Sequence, residues 1–202
     1  MKAIRSLSTS NNHPATKVPG EIRIIGGKWR GRKLPVMDST GLRPTTDRVK
    51  ETLFNWLMPV ISEATCLDCY SGSGALGFEA VSRGAKTAVL LEKSPAIAKQ
   101  LISNQQKLQA DNLSVIAADT LNWLNQPATY QFDVVFIDPP FHQNLVIKTA
   151  QLLEENGWLS KEAWIYLETE SQYPLTNLPV NWQLHREKQA GQVDYRLFIR
   201  QE

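Results

Sequence analysis

The apolar run Phe132-Asp-Val-Val-Phe-Ile stops at Asp138-Pro-Pro-Phe141. Neither Pro139 nor Pro140 has a backbone donor, so no strand continues through them. Asp138 is thereby left at the carboxyl end of a strand, where open α/β sheets bind ligands. A simple strand terminator before a turn would look the same. The other chemical stretch is Cys66-Leu-Asp-Cys-Tyr-Ser-Gly-Ser-Gly-Ala-Leu-Gly77, which passes from an apolar run into a helix through glycines. Gly72, Gly74 and Gly77 have the G-x-G-x-x-G spacing, in which missing side chains allow a tight turn and let a ligand approach the backbone and the helix N-terminus. Asp68 ends the strand four residues before Gly72. A carboxylate there repels a pyrophosphate and accepts hydrogen bonds from an ammonium, such as the amino-acid end of S-adenosylmethionine. A structural turn capped by Asp68 is the plainer alternative.

Two more acids follow the same rule. Glu92 closes the run from Thr87 to Leu91, twenty residues past Gly72, where an acid reaches ribose hydroxyls in nucleotide-binding α/β folds. Asp119 follows the run from Leu113 to Ala117 and can accept from an adenine amino group, cap a helix from Thr120 to Asn125, or do both. Cys66 and Cys69 make a C-x-x-C with no second pair, which reads as core thiols on a strand rather than a zinc site, and no metal is expected. His13, His142 and His185 form no spaced cluster, although His142 follows Phe141 and can line the same site.

These groups need a scaffold of alternating strands and helices. Helices are expected after the glycines from Ala75 to Arg83, from Pro95, with Ser94 as cap, to about Leu108, and from beyond Phe141 to about Asn156. Further strands read at Ala163 to Glu168, Trp182 to Glu187 and Tyr195 to Arg200, the last two forming an antiparallel hairpin around Gln-Ala-Gly-Gln. The class is α/β with a doubly wound sheet. The closing hairpin departs from the plain dinucleotide-binding pattern.

The net charge of +2 hides an asymmetry, because residues 1 to 60 carry 11 Lys+Arg against 4 Asp+Glu and residues 61 to 202 carry 11 against 16. A basic first quarter suggests a polyanionic partner met by the N-terminal part. Residues 1 to 20, rich in Ser, Thr, Asn and Pro, read as a disordered tail. From Ile22 a short hairpin carries Lys28, Arg30, Arg32 and Lys33 around Trp29: cations that neutralise phosphates beside an indole that can stack on a base. A solvated hairpin with Trp29 as local core is the other reading. A helix then opens at Thr45 or Thr46 with Val49, Leu53, Trp56 and Leu57 as its apolar stripe, leaving Arg43, Arg48 and Lys50 to continue the basic surface. With two cysteines and no long apolar run, the chain reads as reduced, cytoplasmic and not membrane-bound.

Taken together, Arg23-Ile-Ile-Gly-Gly with Arg30-Gly-Arg, Arg43-Pro-Thr with Arg48, Leu67-Asp-x-x-Ser-Gly-Ser-Gly-Ala-Leu-Gly, Asp138-Pro-Pro-Phe and Ala190-Gly-Gln-Val-x-Tyr resemble one family. The chain looks like a class I S-adenosylmethionine-dependent methyltransferase and is similar to the RsmD family of 16S ribosomal RNA guanine-N2 methyltransferases over about residues 21 to 200. That resemblance implies a Rossmann-like seven-stranded sheet closed by the hairpin, with residues 21 to 60 as a basic RNA-binding extension and 61 to 202 as the catalytic domain. It implies S-adenosylmethionine held by Asp68, Tyr70, Ser71, Gly72, Gly74, Glu92 and Asp119. Tyr70-Ser71 stands where the family more often has Phe-Ala. Asp138, Pro139, Pro140 and Phe141 would handle the target base, and the expected partner is 16S ribosomal RNA in a small-subunit or assembly context, met by a monomer. A methyltransferase for DNA adenine or another amine, and a non-catalytic RNA-binding protein on the same fold, are the competing classes.

Overall fold

The computed structural model describes residues 20–37 and 45–202. The tail expected over residues 1 to 20 lies outside them except for Gly20, and so does Arg43.

Strands β1 (Gly20–Arg23) and β2 (Lys33–Val36) pair antiparallel as the expected hairpin, with a short 3₁₀ turn at Gly27–Trp29. Helix α1 (Asp47–Trp56) is capped by Thr46, whose Oγ1 accepts from the Val49 N–H at 3.4 Å. Then come β3 (Thr65–Asp68), α2 (Ala75–Ser82), β4 (Thr87–Glu92), α3 (Pro95–Leu108), β5 (Leu113–Ala117), α4 (Thr120–Leu124), β6 (Phe132–Ile137), α5 (Leu145–Glu155), β7 (Leu159–Glu170), β8 (Trp182–Ala190) and β9 (Val193–Arg200). The last seven strands form one sheet in the order β5-β4-β3-β6-β7-β9-β8. Its first five are parallel, while β9 runs antiparallel to both β7 and β8. β3 lies centrally, with β4 and β5 on one side and β6 and β7 on the other. The chain therefore reverses its winding direction between β3 and β6, and a crevice opens at their carboxyl ends.

The central strands are apolar on consecutive residues because both sheet faces are covered. Cys66, Val134, Phe136 and Tyr166 belong to the core under α1, α2, α3 and the hairpin; Leu67, Val135, Ile137, Ile165 and Leu167 belong to the core under α5. The hairpin contributes Ile22, Ile24, Trp29 and Leu34 to the first of these cores. Its attachment is polar as well. Ser82 Oγ donates to the Gly26 carbonyl at 2.6 Å and accepts from Trp29 N–H at 3.0 Å, while Ile25 N–H donates to Glu79 Oε2 at 2.9 Å. Gly27 sits at φ +73°, and a Cβ there would lie 1.7 Å from the Ser82 carbonyl oxygen, so only glycine permits this approach.

Three expectations change. Strand β7 runs Leu159–Glu170 rather than from Ala163 to Glu168, because a register shift between Phe132 and Val134 absorbs the polar Lys161-Glu162 step. The closing hairpin is longer too, with pairing carried to Ala190 and Val193 around Gly191 at φ 63°; polar residues on this edge conceal the strand from a hydrophobicity reading. Lys50 is not surface charge. It is buried, with Nζ donating to the Arg23 carbonyl at 2.5 Å and paired to Asp47 at 3.0 Å, so it fastens α1 to β1.

Candidate functional site

The carboxyl ends of β3, β4 and β5 present Asp68, Glu92 and Asp119, and the glycine turn crosses them. Asp68 is buried. Its Oδ2 accepts the Gly77 N–H at 3.1 Å in the first turn of α2, and burial raises its pKa to about 7, with the nearby Glu92 adding to the shift. Glu92 Oε2 accepts from Gly72 N–H at 3.0 Å and Oε1 from Ser94 N–H at 2.7 Å, so one carboxylate braces the turn and the entry to α3. Ser71 is buried and donates to the Asp68 carbonyl at 3.1 Å. Gly74 has φ +79°, and a Cβ there would meet Phe78 and Leu101 at 2.6 and 2.7 Å, which explains why the helix can start only from glycine. Tyr70 turns its hydroxyl towards α5, 2.6 Å from Thr149 Oγ1. That leaves its backbone, rather than its ring, on the glycine turn. Asp119 caps α4 through Asn122 N–H at 3.1 Å and pairs with Lys93 at 3.0 Å; that hydrogen-bonded lysine, with the helix amides, holds its carboxyl below the usual range.

This donor set suits a particular ligand. Three acids gathered around side-chain-free backbone favour a molecule bearing an ammonium, ribose hydroxyls and an exocyclic amine, and disfavour a string of phosphates. S-adenosylmethionine has those groups and no phosphate.

Across the winding reversal, Asp138 is half-buried and Thr45 Oγ1 donates to its Oδ2 at 3.5 Å. Burial pushes its carboxyl well above the ordinary range, and the charges of Glu168 and Asp68 push the same way. Pro139 is buried and Phe141 half-buried. The loop beyond them is anchored to the end of β7, where Glu170 Oε1 accepts from His142 N–H at 2.5 Å and lies 3.1 Å from Nδ1. The His142 side chain is 87% exposed and takes part in this anchor.

On the hairpin, Lys28, Arg30, Arg32 and Lys33 are exposed, as is Arg48 on α1. Lys33 is already paired with Glu21 at 3.0 Å. Trp29 is a correction: it is 7% exposed and packed in the core, with Lys28 Nζ 4.3 Å from its ring centre, so it offers no free face on which a base could stack. Arg30 lines a groove of about 360 Å³ with Arg83, Asp47 and Glu51, and none of Asp68, Glu92, Asp119 and Asp138 borders it. Sequence reasoning named Thr45 as a cap candidate and Glu168 as a strand end but gave neither them nor Tyr166 a place beside Asp138. Glu168 lies two residues before the end of β7, inside its pairing with β9, so no strand-end signature marks it.

A Rossmann-like sheet with the glycine turn at its first strand, acids at the next two strand ends and Asp-Pro-Pro-Phe across the reversal is that of a class I S-adenosylmethionine-dependent methyltransferase. The family described as conserved hypothetical protein 95, the RsmD family, matches residues 22–199, and the chain belongs to it. It is 58% identical over 182 residues to ribosomal RNA small subunit methyltransferase D of Escherichia coli K12, covering 90% of this chain and 91% of that protein. The Haemophilus influenzae protein of the same name is 55% identical over 182 residues, covering 89% and 94%. Among solved structures, a putative methyltransferase, yhhF, from Escherichia coli superposes with a TM-score of 0.84 at 56% identity, covering 90% of this chain and 99% of that one. Among the described residues, no helix is long and apolar enough to cross a membrane and no cluster of His, Cys, Asp and Glu could hold a metal ion.

Proposed function

We propose that this chain methylates the exocyclic N2 of a guanine in small-subunit ribosomal RNA, acting as a monomer on a small-subunit or assembly-intermediate substrate. The observation that carries the reading is Asp138, set with the rigid Pro139-Pro140 pair across the winding reversal from the Asp68 turn. The names of the Escherichia coli and Haemophilus influenzae relatives support ribosomal RNA as substrate.

The cofactor supplies a methyl group made electrophilic by a positively charged sulfur. An exocyclic amine is a weak nucleophile because its lone pair is delocalised into the ring. Acceptors aimed at its N–H groups favour the tetrahedral nitrogen that attack requires. Ionised Asp138 accepts from guanine N1–H and N2–H side by side, a prolyl backbone carbonyl takes the other amino hydrogen, and Phe141 stacks on the extruded base. N2 gains the methyl and gives up one proton to Asp138. Residues 21 to 60 serve as the RNA-binding extension, with Lys28, Arg30, Arg32 and Arg48 on phosphates, and residues 61 to 202 as the catalytic domain.

Incubation with labelled S-adenosylmethionine and naked ribosomal RNA, small subunits or duplex DNA, followed by nucleoside analysis, tests this. The expected product is N2-methylguanosine from RNA. Methyladenine from DNA, or no RNA product, would overturn the reading.

A further inference from the structure

The groove of about 360 Å³ beside Arg30 lies between the hairpin and α1, and its volume is at the small end of the range for ligand sites. One wall is α1, where Asp47, Glu51 and Asn55 recur every four residues and so stand in a row about 12 Å long on one face. The hairpin supplies Gly26 and Arg30, and Arg83 closes the groove from the end of α2. Arg83 is held in place. Its Nε donates to Oε1 of the buried Glu79 at 2.7 Å, and its guanidinium carbon lies 5.1 Å from the Phe54 ring centre. Gly26 has an ordinary extended φ of −142°, so what its missing side chain provides is space: a Cβ there would lie 2.4–2.7 Å from the guanidinium atoms. Among the described residues the Nη groups of Arg83 meet no acceptor, and Arg30, Glu51 and Asn55 have no side-chain hydrogen bond or ion pair. Asp47 differs, its charge being taken up by Lys50 at 3.0 Å.

Resting on the RNA reading, we propose that this groove is a second base site, taking an unpaired guanosine from the RNA strand that flanks the target nucleotide. A forked guanidinium fits the N7 and O6 acceptors of guanine, and a carboxylate fits its N1–H and N2–H side by side. Arg83 and Glu51 thus each find a two-bonded partner on one base. Adenine, cytosine and uracil do not present both a pair of adjacent acceptors and a pair of adjacent donors. Asn55 is left for a ribose hydroxyl, and Arg30, exposed at the rim, for the phosphate. The groove begins close to the reacting centre: Asp47 is two residues beyond Thr45, whose hydroxyl donates to Asp138 Oδ2 at 3.5 Å. A strand whose target base enters at Asp138 can therefore continue along α1 towards Arg83.

The test is an NMR titration of the full chain with guanosine, adenosine, cytidine and uridine monophosphates, following the Arg83 Nε–H signal. Guanosine monophosphate should shift this signal with a dissociation constant lower than those of the other three by about five-fold or more. Asp138→Ala, which removes the other guanine site, should leave the response unchanged. Glu51→Gln, an exposed change that gives up one of the two acceptors, should abolish the preference for guanosine. Arg83→Lys, which keeps the charge and loses the fork, should do the same, read from the amides of α1; if it does not fold, Glu51→Gln alone decides. An unmoved Arg83 signal, an equal response to all four monophosphates, or a preference that survives Glu51→Gln would overturn the proposal. A wild type that methylates RNA guanine while Arg83 ignores guanosine monophosphate loses the groove site alone. A guanosine-selective groove in a protein that methylates no RNA keeps the site and removes the methylation reading instead.

Discussion

Glu92 Oε2 accepts the Gly72 backbone N–H at 3.0 Å, so the acid at the end of β4 and the glycine turn at the end of β3 form one unit before any ligand arrives. Each Glu92 oxygen has a further lone pair for a ribose hydroxyl. Glu92→Ala should therefore weaken S-adenosylmethionine by about 1.5–3 kcal/mol, through the lost ribose contact and a loosened turn. Calorimetry with unchanged affinity would leave Glu92 only the bracing role.

Asp138→Ala should lower methyl transfer by about 100-fold or more, since a preorganised acceptor is lost at the reacting nitrogen. Cofactor affinity should stay near wild type, because the cofactor acids lie across the winding reversal. Single-turnover kinetics with a parallel binding isotherm separates the two quantities, and retained turnover would remove Asp138 from the chemistry.

Asp68 sets a pH dependence whose sign follows from its environment. Its folded-state pKa of about 7 lies above the unfolded value, so the protonated form favours the fold, and that stability, full at low pH, is lost as pH rises through 7. A cationic ligand needs the ionised form. Cofactor affinity should rise by up to about tenfold per pH unit between 5 and 7 and then level off, with proton release on binding at pH 6. Calorimetry in buffers of different ionisation enthalpy measures the released proton. Asp68→Asn should flatten the profile; an unchanged slope would assign it to another group.

Trp29→Ala tests the hairpin's packing. With the indole 7% exposed in the core, truncation should destabilise the protein by about 3–5 kcal/mol. Chemical denaturation measures this. A loss under about 1 kcal/mol, combined with weakened RNA binding, would restore the stacking role that its burial argues against.

Replacing Arg30, Arg32 and Arg48 with glutamine should leave cofactor binding unchanged and lower RNA affinity. All three are exposed. If each meets a phosphate of single-stranded RNA, the slope of log affinity against log salt should fall by about 2. Lys33 is left out because its pair with Glu21 already takes up much of its charge. Equal slopes for variant and wild type would place RNA binding elsewhere.

Much of the candidate site was legible along the chain because its cues are local. A strand that meets two prolines stops, and a glycine turn after an apolar run starts a helix. An acid at such a stop sits at a strand's carboxyl end in any parallel sheet. Asp68, Glu92, Asp119 and Asp138 could thus be named without knowing the order of the strands. Their arrangement could not. That β3 and β6 are neighbours, bringing Asp68 and Asp138 to one crevice, depends on which strands pair, and pairing is settled by packing across both faces of the sheet. The fates of Trp29, Lys50 and Glu168 were decided in the same way. Trp29 and Lys50 look like surface chemistry until the hairpin folds onto α2 and α1, and Glu168 looks like a strand end until β7 lies beside β6. Thr45 reaches Asp138 across 93 positions of sequence, a contact that no local pattern encodes. Residue type and spacing determine what a segment can do chemically and where its backbone turns; burial, neighbouring charge and hydrogen-bond partners arise from chain crossings distant in sequence, and those only the tertiary structure decides.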